Sequence, residues 1–234
     1  GLPGMAPLLE RFAQGTLRVA GDQPSELLCS AMHLHAGLAL GAGRVDEAQH
    51  WLARADEAYR WLGMTRGMSH SNAILHVMCD ALCGEHAACH AAAERLTHDL
   101  QQHSPASHRR ASEYLTLAAH SQAAWVLQDA AAVRALDTAL ARAANPAEWR
   151  VAALCRRLSQ AFVALFDERL DEARSLLETL AQGPNRSTYF QADLARLLLA
   201  DVLLRLDRRD EAATTLQHAL HAMRASGEIC GALL

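Results

Sequence analysis

Aromatic residues make up only 5% of this 234-residue sequence, and β-branched residues are few beside alanine, leucine and arginine. Sheets fill their pleated surfaces with aromatic and β-branched side chains. Their scarcity, with so many strong helix formers, implies an all-helical chain. Charge is equally unspecialised, at net −4 with a pI of about 6.4. The "RR" pairs at 109–110, 156–157 and 208–209 are scattered among acids and apolar residues, so no basic footprint for nucleic acid exists. No apolar run approaches the roughly 18 residues of a membrane span, and the N-terminus lacks a signal-peptide pattern. The cysteines (Cys29, Cys79, Cys83, Cys89, Cys155, Cys230) sit mostly in apolar helical text. That reads as reduced, buried thiols of a cytoplasmic protein, not as a disulfide framework.

Catalytic signals are missing too. No Ser-His-Asp or Cys-His arrangement can be argued, and "GLALGAG" (37–43) ends a helix with no strand before it and no lysine after it, so it is not a phosphate loop. Trp51, Trp61, Trp125 and Trp149 fall at helical positions where core or inter-repeat filling is expected. The reading is of a chain with no enzyme activity and no cofactor.

What is present is repetition. "GRVDEAQHWLARADEAYRWLG" (43–63) opens with a turn and an Asp-Glu-Ala helix start that return as "ERLDEARSLLETL" (168–180) and "DRRDEAATTLQHAL" (207–220). The Ala of this start begins an Ala-x3-Leu-x2-small/Leu pattern. Weaker copies start at Cys89 and Ala132, so the anchors Ala48, Cys89, Ala132, Ala173 and Ala212 stand 41, 43, 41 and 39 residues apart. A period of about 40 implies a helical array. Each anchor helix follows another helical stretch, at about 24–41, 66–83, 107–127, 147–166 and 187–206. Pro24 and Ser25, "SPASHRR", "NPAEW" and "QGPNRS" supply start signals for four of these. The Asp and Glu opening each anchor helix suit its positive dipole end. One such helix pair cannot bury its own apolar face, whereas stacked neighbours can. Residues 5–20 read as the second helix of a truncated preceding unit within 1–22. Residues 23–228 hold five units, and 229–234 form a tail in what reads as a segment of a longer protein.

These features resemble the tetratricopeptide-repeat superfamily. Units stretched to about 40 residues, rich in Ala, Leu and Arg, with "G-R-x-D-E-A" turns, resemble the sensor arm of MalT-like bacterial transcriptional activators of the LuxR type. The resemblance implies a right-handed superhelix (an α-solenoid) of antiparallel helix pairs, flanked in the whole protein by a nucleotide-binding module and a DNA-reading helix-turn-helix. It also implies a sensor role: a small-molecule inducer or a partner protein docks in the concave groove, and self-association follows. The alternative is a general scaffold that clasps a peptide or helix of a partner. Neither reading involves direct nucleic-acid or membrane contact by this segment.

In that superfamily the first helix of each pair lines the concave wall. Projecting these helices onto one another gives a stripe that mixes small residues with isolated polar ones. His35, His76, Asp80, Arg157, Gln160 and Arg196 are its candidate ligand-binding residues, since small-molecule sites need a few convergent polar groups. A neighbouring stripe, which includes His33, is mainly apolar and reads as packing. The cluster "HVMCDALCGEHAACH" (76–90) places Cys79, Cys83, His86, Cys89 and His90 at spacings a tetrahedral zinc would accept. Three of the five, Cys79, His86 and Cys89, align with packing positions of other units, so core substitution accounts for them and no metal is expected.

Overall fold

The computed structural model describes residues 5–21, 23–63, 68–103, 106–143, 150–182 and 189–226. Within them run eleven helices: α1 (Met5–Ala20), α2 (Glu26–Gly41), α3 (Val45–Trp61), α4 (Met68–Leu82), α5 (His86–His103), α6 (Ala106–Val126), α7 (Ala130–Ala143), α8 (Arg150–Phe166), α9 (Leu170–Ala181), α10 (Tyr189–Arg205) and α11 (Arg209–Ser226). Among the described residues there is no strand, and no helix is long and apolar enough to cross a membrane. The chain is all-α. Trp149, Cys230, the 229–234 tail and the "NPAEW" and "QGPNRS" signals lie largely or wholly outside the described residues.

Five helix pairs, α2–α3 to α10–α11, are each closed by a three-residue turn that ends in the same motif. Gly43, Gly84, Gln128, Glu168 and Asp207 hold positive φ, between 57° and 76°. The N–H of each next residue reaches back to a carbonyl in the first helix: Arg44 to Ala39, Glu85 to Asp80, Asp129 to Ala124, Arg169 to Ala164 and Arg208 to Leu203, at 2.8–2.9 Å. This is a Schellman closure, which satisfies carbonyls a helix end would otherwise leave bare. The same five residues then open the second helix, their carbonyls accepting from Ala48, Cys89, Val133, Ala173 and Ala212. One residue thus ends one helix and starts the next.

The recurrent "R-x-D-E" follows from this. Arg44 and Arg208 stand at the start of the second helix and pair with Glu47 and Glu211 three residues on, each at 2.6 Å, and Arg169 pairs with Glu172. An arginine side chain offers no acceptor to the first N–H groups of the helix, so the acids of the first turn meet its positive end instead. In the third unit Asp129 caps directly, its Oδ1 accepting from Ala132 N at 2.9 Å. That bond corrects the sequence register by one residue. Val133, not Ala132, is the anchor, and it is fully buried.

Each described helix packs on its neighbour in the chain, and the first helix of each pair also packs on the first helix of the next. The core follows that order as a string of apolar clusters. Leu28, Cys29, Met32, Ala55 and Tyr59 form one against Leu17 of α1. Ala36, Leu40, Leu52, Val77, Met78 and Cys89 form the next, which extends to Leu127. Phe162, Leu165, Leu177, Leu194 and Val202 centre a third that runs from Ala124 to Ala212. Trp125 fills between units as expected, stacked on Phe162 with ring centres 4.8 Å apart. Trp61 does not: at 69% exposure on the last turn of α3 it fills no core.

Candidate ligand-binding face

Counting eight residues back from the left-handed turn residue gives equivalent positions on the first helices: His35, His76, His120, Gln160 and Leu199. The sequence projection placed Ala119 there in the third unit. The run "DAAAVRAL" offers three alanines as anchors, and only the Asp129 cap selects among the registers. His120 was missed for that reason.

The six candidate residues do not share one environment. Arg157 on α8 is exposed, with Gln160 one turn further along, half-buried. His35 is half-buried and stacks on Trp51 of α3, ring centres 4.8 Å apart, while Arg54 covers the same indole at 5.0 Å from its centre. His76 Nε2 lies 2.8 Å from Asp56 Oδ2, also on α3. Asp56 accepts a further bond from Asn72 Nδ2 at 3.1 Å, and Asn72 Oδ1 lies 2.7 Å from His33 Nδ1. These hydrogen bonds outweigh burial and hold the Asp56 carboxyl below the usual range. Burial pushes Asp80 the other way, upward.

Arg196 has a bracing role. Its guanidinium donates to Asp193 Oδ1 at 2.5 Å and to the Ala181 carbonyl, the last of α9, at 3.2 Å. Asp193 is 4% exposed, so the arginine compensates a buried carboxylate and a bare helix end together. His76 and Arg196 therefore reach back to the second helix of the preceding pair, while His35 packs on the second helix of its own pair. Asp80, Arg157 and Gln160 are the members of the stripe for which no such tie is described, and of these Arg157 is exposed.

The cysteine–histidine cluster is dispersed. Cys79 and Cys89 are buried, with Cys89 Sγ 3.5 Å from the Val77 carbonyl, and Cys83 is exposed. Burial pushes the Cys89 thiol up to about 11, the opposite of what a thiolate ligand needs. His90 is engaged by another helix, its Nδ1 2.8 Å from His120 Nε2. Among the described residues no three His, Cys, Asp or Glu side chains converge on a point a metal could occupy.

Comparison with other proteins leaves the chain at the level of an all-helical fold. No family model matches it, and neither the curated proteins nor the solved structures give a match.

Proposed function

We propose that the chain is a tetratricopeptide-like array of five antiparallel helix pairs, with a period of about 40 residues, wound as a right-handed superhelix. On this reading it is the non-catalytic sensing arm of a MalT-like, LuxR-type bacterial transcriptional regulator and works in the cytoplasm. One observation carries the reading. The first helices, α2, α4, α6, α8 and α10, pack on one another in succession, whereas the second helices make no comparable contacts among the described residues. A stack whose units approach more closely on one side curves toward that side, so the first helices form the inner wall of a groove. Exposed Arg157 and half-buried Gln160 on α8 give that wall a cation and an amide. An inducer bound there shifts the equilibrium between arrangements of neighbouring pairs, which needs only that it bind one arrangement better.

A partner's helix or peptide is a second occupant with its own support, because the first helices also expose Leu27, Leu115 and Leu204, at 46%, 40% and 54%. Apolar anchors on a groove wall suit an amphipathic segment.

A thermal-melt panel of sugars, other metabolites and short amphipathic peptides tests both. A ligand at about 100 times its Kd adds about 2.7 kcal/mol, a shift of a few degrees for a chain of this size. The sensor reading expects a small-molecule shift that disappears in Arg157→Ala/Gln160→Ala. The scaffold reading expects a peptide shift that disappears in Leu115→Asp. A ligand whose shift survives all three substitutions overturns the groove assignment.

A further inference from the structure

We propose that the boundary between the second and third helix pairs is an acid-labile joint, held shut by a direct bond between two imidazoles and opened when both carry a proton. His90 on α5 and His120 on α6 form the bond, Nδ1 to Nε2 at 2.8 Å, so it crosses from one pair to the next. His90 Nε2 lies 3.3 Å from Asp129 Oδ2, while the other oxygen of Asp129 caps α7. The proposal concerns the packing of pairs and is independent of what the groove binds.

The proton count sets the response. Two facing imidazole nitrogens bond when one carries the hydrogen and the other a lone pair. With both rings neutral, His90 presents Nε2–H toward Asp129 and its Nδ1 accepts from His120. One added proton is accommodated, because cationic His90 faces the Asp129 carboxylate and donates to the other tautomer of His120. A second proton sets N–H against N–H and charge against charge, and the bond is lost.

Burial opposes the second proton in the closed form. His120 is 8% exposed, and desolvation first, then the His90 charge, hold its pKa down at about 4, with Asp129 pulling the other way. Several other groups stand on the elements packed around it: His76 and Asp80 on α4, His86 and Glu94 on α5, Arg134 on α7, Arg156 and Arg157 on α8. Among the described residues, His90 and Asp129 are the charged groups that act on His120. Opening the joint hydrates the ring and returns it toward its ordinary pKa near 6.5. The closed form is therefore fully favoured above about 6.5 and loses ground as pH falls toward about 4, by up to tenfold per unit and on the order of a hundredfold in all.

Among the described residues the other boundaries lack this response. Between the first and second pairs, a proton on His76 strengthens its contact with Asp56. Between the third and fourth, Arg156 pairs with Asp137 and Arg134 with Asp167. Between the fourth and fifth, Arg205 pairs with Glu168 and Arg196 holds the end of α9. Guanidinium groups keep their charge throughout this range. Among the described residues, acid addresses one joint of four.

Spin labels on exposed Cys83 and on Gln128→Cys, at the turns of the two pairs, read the joint in a Cys230→Ser background; Cys29, Cys79, Cys89 and Cys155 are buried. Between about pH 7.5 and about pH 4, the range over which the closed form loses ground, the distance distribution lengthens and broadens. It stays unchanged in His120→Gln, whose amide still donates to His90 but does not titrate. An identical response in both chains, or none in the parent, overturns the proposal. If His120→Gln does not fold, NMR titration of the imidazoles in the parent decides. A His120 that titrates near 6.5 overturns the joint, and one that titrates below about 5 supports it.

Discussion

Five residues in the left-handed region close the five helix pairs, and two of the five are glycine. A side chain in that region costs roughly 1–2 kcal/mol, which glycine avoids. Asp207 carries the cost with little return, since its contact with Arg209 lies on the open surface, both partners more than 80% exposed. Asp207→Gly is expected to stabilise the chain by about 1 kcal/mol, read as a higher urea midpoint at unchanged slope. Gly84→Ala should lose a similar amount. An added Cβ at Gly84 meets nothing within 4 Å, so the loss would come from the backbone alone. A Gly84→Ala chain as stable as the parent would show that the turn relaxes out of the left-handed region.

At the scale of the element, equivalent positions do unequal work. Four residues after the anchor stand Leu52, Ala93, Asp137, Leu177 and Leu216. Leu52 and Leu177 are fully buried between pairs, whereas Leu216 on α11 is 39% exposed because no further pair follows it among the described residues. Leu52→Ala should cost about 3 kcal/mol, and Leu216→Ala less than about 1. Equal losses in paired urea melts would mean that something covers the outer face of α11 in solution. The third unit departs most: Asp137 replaces the leucine and meets Arg156 of the next pair, both side chains less than 20% exposed.

For the molecule as a whole, a string of clusters replaces a single core, so stability is a sum of units and the boundaries between them. Such an array unfolds as one body only while every boundary holds. The His90–His120 boundary weakens first as pH falls from about 6.5 toward 4. The carboxyls of Asp56 and Asp129 are held below their ordinary value of 3.8, so the stability they lend is present above it and lost only in stronger acid. Urea unfolding followed by circular dichroism should therefore give one transition near pH 8 and two near pH 5, as the first two pairs uncouple from the last three. A single transition at both values would mean that the remaining contacts between α4, α5 and α6 suffice without the imidazole bond.

The sequence by itself determined the elements. Alanine and leucine spacing marks the helices, and "DEA" after a glycine or a charged turn marks where the second helix of each pair begins, because propensity, capping and apolar period are all local. It did not determine the register of the third unit, where three consecutive alanines look alike until Asp129 chooses which N–H to cap. Nor did it determine the partners of the polar stripe. His35, His76 and Arg196 read as groove residues from helical phase alone, yet Trp51 lies 16 residues after His35, and Asp56 and the end of α9 lie 20 and 15 residues before His76 and Arg196, each on another helix. Phase says which face a side chain occupies. Whether that face meets solvent or a neighbouring second helix depends on how closely the helices approach, and that distance is set by tertiary packing.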